Sequence, residues 1–319
     1  MIRFGLCCIF KEQPIKFRRT TAKYLSKFSK QQQRERLAEL CLINAESLLK
    51  ALKFCNQNQI GDFRINSQIL PLKTHPNVGY DIEDLPGSED IIQAFKACGE
   101  YSLKNDIRTT FHPDQFIVLS SPDAGVVERS IADLTYQAQV AQWVNGDVIN
   151  IHAGGIYGDK PSAIKRLINT IETLPDSVRK RLTLENDDRS YSPRDLLAVC
   201  RDMNIPLVYD VHHHRCLPDD LSIEKATEIS LGTWDREPLF HISSPKDGWN
   251  ASNIKKHHDF IDINDFPPTW LSMDITVEVE AKAKEVAIRR LMAELNMARG
   301  AYKMGISDKN VLLDFPPLN

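Results

Sequence analysis

The chain has 319 residues, of which 42% are hydrophobic and 26% charged, with a formal net charge of −3. Its length suits one (β/α)8 barrel, so two domains are not required. The charge balance gives no global sign of a nucleic-acid binder, although a local basic face is compatible with it, because steering depends on how charge is distributed.

Seven cysteines occur, an odd number with no CxxC pair. That argues against a disulfide framework and against a zinc ribbon, and fits a reducing cytosol. The first stretch, MIRFGLCCIF, is too short for a membrane span and lacks a small-residue cleavage site. A cytoplasmic protein is expected.

In chain order, β-type runs alternate with helical patterns. A strand is predicted over 2–10 and a helix over 34–55, where apolar residues recur every three or four positions. A strand at 62–67 precedes a helix at 88–105 that opens on Ser-Glu-Asp, a helix start signal. Strands at 107–112 and 147–153 flank a helix at 124–144. Helices at 160–174, 192–203 and 222–231 alternate with strands at 181–186, 206–210 and 238–244. The polar, proline-containing stretch 245–272 reads mostly as loop, before a last strand at 274–281 and a helix over about 281–303. Eight strands alternating with helices predict an α/β fold, a (β/α)8 TIM barrel, with residues 1–303 as one catalytic domain and 304–319 as a tail without an assigned role. The alternative is an open doubly wound sheet. No GxGxxG follows the first strand, which weakens a nucleotide-cofactor version.

The metal-binding residue types fall at the ends of these runs. His75 follows the second, His112 ends the third, His152 the fourth and Glu185 the fifth. Asp210, His212, His213 and His214 close the sixth. His241 lies in the seventh, His257 and His258 in the loop after it, and Glu278 and Glu280 in the eighth. All nine histidines thus lie at or after strand ends, and none in a predicted helix. In a barrel those ends converge on one face, where catalytic residues come from several strands. Imidazole with carboxylate suits zinc, manganese or iron. Glu185 and Glu280 could bridge ions. Two ions about 3.5–4 Å apart would make a hydrolytic site. On the residues alone, phosphoryl-ester hydrolysis and sugar isomerisation both stay open.

The motifs FRINSQILPLKTHP, FHPDQFIVLSSPD, NIHAGGIYGDK, LENDD, YDVHHH, HISS and VEAKAKE occur in this order over about residues 1–285. Together they resemble the UV damage endonucleases, relatives of the endonuclease IV-type abasic-site nucleases. The resemblance implies a barrel with two or three divalent ions, manganese foremost, with zinc or magnesium as alternatives; a monomer is expected. It implies double-stranded DNA carrying UV lesions as partner, nicked immediately 5′ of cyclobutane dimers and 6–4 photoproducts to leave a 3′-hydroxyl.

Carried over by position, His112, His152 and Glu185 would hold one ion, with His75 beside it. Glu185, Asp210, His241 and Glu280 would hold a second, and His213 and His258 a third. His112, His152, Glu185, Asp210 and Glu280 would carry the catalysis. Glu278 is the alternative to Glu280 if the register slips by two. His212 and His214 would lie outside the ligand set. Gln115 and Phe116 match a polar–aromatic pair that fills the gap left by flipped lesion bases. Arg18, Arg19, Lys160, Lys246, Lys255 and Lys256 are candidate phosphate contacts.

The chain departs from the family in three places. Leu239 stands where the family often has a metal-binding lysine. Leu6 and Cys7 stand near an expected tyrosine, and Phe116 replaces a common tyrosine. The other readings are an abasic-site endonuclease, a sugar isomerase or epimerase on a similar barrel, and a damage-binding protein without activity.

Overall fold

The structure, a computed structural model, describes residues 2–303. The expected tail, 304–319, lies outside the described residues. The strands are β1 (Arg3–Cys7), β2 (Asp62–Ile65), β3 (Arg108–Phe111), β4 (Val148–His152), β5 (Leu182–Glu185), β6 (Leu207–Asp210), β7 (Leu239–Ile242) and β8 (Thr276–Val279). They follow one another in chain order in a closed parallel barrel, with helices between them. The expected (β/α)8 barrel is therefore the observed fold. By contacts the chain divides into two compact units, one of residues 14–183 and one joining residues 1–13 to the chain from Leu184 onward.

In the first unit β2, β3 and β4 pair with Ile65 opposite Phe111 and Phe111 opposite Ile149. Helices Lys30–Gln57, Ser88–Lys104, Ala124–Val144 and Lys160–Thr173 pack around them. Their starts are written locally. Ser29 and Gln32 form a capping box, and Asp123 and Asp159 accept amide protons from the first turns that follow them. Phe63, Phe95 and Phe111 are fully buried. Helix Ser88–Lys104 approaches its neighbour at Gly99, where a Cβ would collide with the Trp143 carbonyl oxygen.

In the second unit β6, β7, β8 and β1 pair in sequence, with Asp210 opposite His241 and His241 opposite Glu278. Behind them Tyr209, Phe240, Phe266 and Trp270 form a buried aromatic cluster, with Phe240 and Trp270 ring centroids 5.2 Å apart. The stretch 245–272 is irregular apart from two short 3-10 turns, Ile263–Asp265 and Pro268–Ser272, as expected. One expectation fails. His212, His213 and His214 do lie in a helix, the six-residue turn Val211–Cys216. Asp210 starts it by accepting the His213 amide proton at 2.8 Å, a capping role that the apolar pattern does not reveal.

Candidate metal centre

In the unit 14–183, His112 directly follows β3 and His152 ends β4. Their rings stand 5.1 Å apart, inclined by 53°. His112 Nδ1 lies 3.2 Å from the Pro113 carbonyl. A carbonyl can only accept, so Nδ1 carries the proton and the Nε2 lone pair is left for a ligand. His75 is set the other way. The Asn77 amide donates to its Nδ1 at 3.2 Å, which makes Nε2 the protonated nitrogen and the ring a donor. His75 lines a cavity of about 650 Å³ with Gln115, Phe116, Leu70, Ile117 and Tyr136.

The other unit holds a denser cluster. Glu185 Oε1, at the end of β5, lies 3.1 Å from His241 Nδ1 and 3.3 Å from His213 Nδ1. Glu280 Oε1 lies 3.6 Å from His241 Nδ1. The opposite nitrogen of the same ring, Nε2, is 3.0 Å from Glu278 Oε2. Glu278 in β8 and Glu280 just after it are thereby told apart: Glu280 shares the Nδ1 side with Glu185, and Glu278 backs the ring. Glu185, Asp210 and His213 bring one ligand atom each within 4.8 Å of one another.

Asn186, which the sequence reading left without a role, locks this arrangement. Its side chain accepts the Asp210 amide proton and donates to the Asp210 carbonyl, both at 2.9 Å. The ends of β5 and β6 are fixed together by an amide that mimics a strand pair. His214 also has a structural task. It lies between the Tyr209 hydroxyl at 2.8 Å and Asp219 Oδ1 at 3.0 Å, which anchors the short helix from behind.

The third-ion pair is not arranged as expected. His258 Nδ1 receives the Phe260 amide proton at 2.9 Å. The neighbouring His257 is the one that faces Glu280, 3.6 Å from Oε2, with its ring 6.3 Å from that of His213. Neither His75 nor His258 enters any group of three ligand atoms at coordinating distance among the described residues.

Burial and charge oppose each other here. Burial alone would lower the pKa of His213, but Asp210, Glu185 and Glu280 overcome it and push it up to about 10. His241, buried likewise, is raised by Glu185 and Glu278. His212 goes the other way: burial lowers it to about 4, so it stays a neutral ring, packed 5.2 Å from Trp249. Such a cluster of buried carboxylates calls for positive charge, which protons or cations can supply. Among the described residues, the buried Asp210 Oδ2 takes part in no hydrogen bond. Carboxylate and imidazole donors without a thiolate among them fit divalent ions such as manganese or zinc.

The family model for UV-endonuclease UvdE matches residues 2–310. The chain belongs to the UV-endonuclease family. Relatives named UV DNA damage endonuclease include one from Bacillus velezensis, 34% identical over 95% of this chain and 97% of that protein. Another, from Bacillus pumilus, is 34% identical over 90% of each. The crystal structure of SacUVDE superposes with a TM-score of 0.83 at 25% identity, covering 94% of this chain and 99% of that one. Endonuclease IV from Thermus thermophilus shares the fold, with a TM-score of 0.60 at 14% identity over 92% of this chain and 99% of that one. As a UV endonuclease the chain is an enzyme acting on UV-damaged DNA.

Phe116 is 74% exposed and Gln115 beside it is exposed too. Lys160 is half-buried in the first turn of its helix, and Lys246 is exposed. Arg18, Arg19 and Lys256 are exposed, whereas Lys255 Nζ is held by the Asp188 carbonyl. Leu239 and Leu6 are fully packed in the core, so neither contributes a polar group. Among the described residues no helix is long and apolar enough to cross a membrane.

Proposed function

We propose that the chain is a metal-dependent repair endonuclease that nicks one DNA strand immediately 5′ of cyclobutane dimers and 6–4 photoproducts, leaving a 3′-hydroxyl. The observation that carries the reading is the Glu185–Asp210–His213 group with His241 and Glu280 against it, in a chain of the UV-endonuclease family. His112, His152 and Glu185 would hold one divalent ion, with His75 beside it as a hydrogen-bond donor. Glu185, Asp210, His241 and Glu280 would hold a second. His213 would hold a third with His257 or His258. Manganese is the metal assigned, with zinc and magnesium as alternatives. Such ions, when bound, supply Lewis acidity that activates water and stabilises charge on the phosphoryl oxygens.

The chain's own groups prepare that chemistry. The Pro113 carbonyl keeps the proton on His112 Nδ1. Glu278 lies against His241 Nε2, and the Nδ1 of the same ring faces Glu185 and Glu280, where it would meet an ion. Asn186 keeps Glu185 and Asp210 in register. Gln115 and Phe116 enter the gap that a flipped lesion leaves. Unstacking costs least at an already distorted pair, which selects damage without reading base edges. Lys160 and Lys246 steady the phosphates. Residues 1–303 act as one catalytic domain, as a monomer without a nucleotide cofactor. Seven free cysteines suit work in the reducing cytoplasm.

The test is strand incision on a labelled duplex with a single cyclobutane dimer, beside matched abasic and undamaged duplexes, with manganese and with chelator. A nick 5′ of the dimer that chelator abolishes is expected. Incision at the abasic site alone would replace the proposed substrate, and no incision with any divalent metal would overturn the reading.

A further inference from the structure

The connection after β1 has a composition unlike the rest of the chain. Between positions 11 and 30 seven Lys and Arg residues stand against one carboxylate, Glu12, in a protein of net charge −3. Exposed lysines alone would mean little. Residues 15–19 of this stretch, however, are tied down as a strap. Its backbone at 16–18 lies on helix Lys30–Gln57, which contributes two buried polar side chains to it. Asn44, fully buried, accepts the Arg18 amide proton at 2.6 Å and donates to the Arg18 carbonyl at 3.0 Å and the Ile69 carbonyl at 2.8 Å. Ser47 donates to the Lys16 carbonyl at 3.0 Å.

Side chains alternate along the strap. Ile15 and Phe17 turn partly inward, and the Phe17 ring stacks on the buried Phe63 at 6.2 Å. Lys16, Arg18 and Arg19 turn outward and are exposed. Among the described residues none of these three makes an ion pair. An ordinary solvated charge run needs no buried asparagine beneath it. Here the fold spends a buried amide to fix an extended, outward-facing cationic row. Loops that follow barrel strands form the active-site face.

From this we infer that Lys16, Arg18 and Arg19 form a second DNA-contact surface, which grips the phosphate backbone of the duplex away from the lesion and without regard to damage. The inference rests on the endonuclease reading and adds to it a surface that sets general DNA affinity rather than lesion choice. Phosphate neutralisation releases counterions, so each contact contributes about 0.9 to the slope of log Kobs against log salt. Fixing the row in advance lowers the ordering cost of binding.

The test compares the wild-type chain with the triple variant Lys16→Gln, Arg18→Gln, Arg19→Gln. A charge-matched control carries Lys50→Gln, Lys53→Gln and Lys96→Gln on exposed helix positions. Binding to irradiated and to undamaged duplex is measured by fluorescence anisotropy over a salt series, in chelator. The strap variant should lose up to about 2.7 from the slope, equally on both duplexes. The control should keep the wild-type slope. An unchanged slope in the strap variant, or the same loss in the control, overturns the inference. A loss confined to irradiated duplex also overturns it, because that would make the strap a lesion reader. Phe17→Ala keeps every charge but removes the ring that seats the strap on Phe63, and it should weaken binding to both duplexes while losing less of the slope than the triple variant. Wild-type incision of the dimer duplex is run in parallel. Its failure would count against the endonuclease reading, and the slopes would still decide the strap.

Discussion

His241 Nε2 lies 3.0 Å from Glu278 Oε2, and the two residues sit opposite each other in the β7–β8 register. A carboxylate close behind an imidazole makes the ring more basic and its other nitrogen a better ligand. Glu278→Gln should therefore weaken manganese binding about 10- to 100-fold, although Glu278 is not assigned as a ligand. Calorimetry of the DNA-free protein reads this directly, with a thermal melt to confirm folding. Wild-type affinity in a folded variant would refute the supporting role.

Phe116 is 74% exposed, so shortening it removes almost no packing. Phe116→Ala should leave the melting temperature unchanged. It should weaken binding to dimer-containing duplex by the worth of a base stack, about 1–3 kcal/mol, which is about 5- to 150-fold. Undamaged duplex should be bound almost as before. Phe116→Tyr keeps the ring and should keep the discrimination. Equal losses on both duplexes would mean that Phe116 is not a probe.

The barrel was legible in the sequence because each strand is a short apolar run and most of the longer helices announce their caps. The choice among neighbouring ligands was not. Glu278 and Glu280 are two apart, so strand periodicity places them on one side, and only the His241 ring separates their tasks. His257 and His258 are adjacent in a loop, where no period applies. The isolated bridge between Pro245 and His257, with the His258 amide donating to the Ser244 carbonyl, decides which ring turns to Glu280. The turn Val211–Cys216 is held by Asp210 in front and by Tyr209 and Asp219 behind, partly through contacts with residues outside the turn. Asn186 carries no chemical signature of its own and could be found only through its bonds to Asp210.

Gly154, two residues beyond His152, has φ +90°, and a Cβ there would meet Ser120 Oγ and Val118 Cγ1, each at 2.7 Å. Gly154→Ala combines left-handed strain with a clash against the loop that follows Gln115 and Phe116. A loss of stability of about 1–3 kcal/mol is expected. Urea denaturation measures it. An unaffected midpoint would show that the loop yields freely.

Asp219 supports the histidine turn from outside the proposed ligand set, and its ionisation gives a pH test. Burial pushes its pKa up, but the Arg194 and Leu221 amides, His214 and Ser192 outweigh that and hold it below the usual carboxylate range. A carboxyl whose folded pKa is depressed contributes stability above its unfolded pKa of about 3.9 and loses it as pH falls through the folded value. Asp219→Asn keeps one acceptor, loses the charge and leaves His214 Nε2 less well paired. It should cost about 1–3 kcal/mol at neutral pH. The gap between wild type and variant should stay level down to about pH 4 and narrow below it. Denaturation at a series of pH values checks this. A gap that instead widens in acid would mean that the Asp219 charge is a burden to the fold.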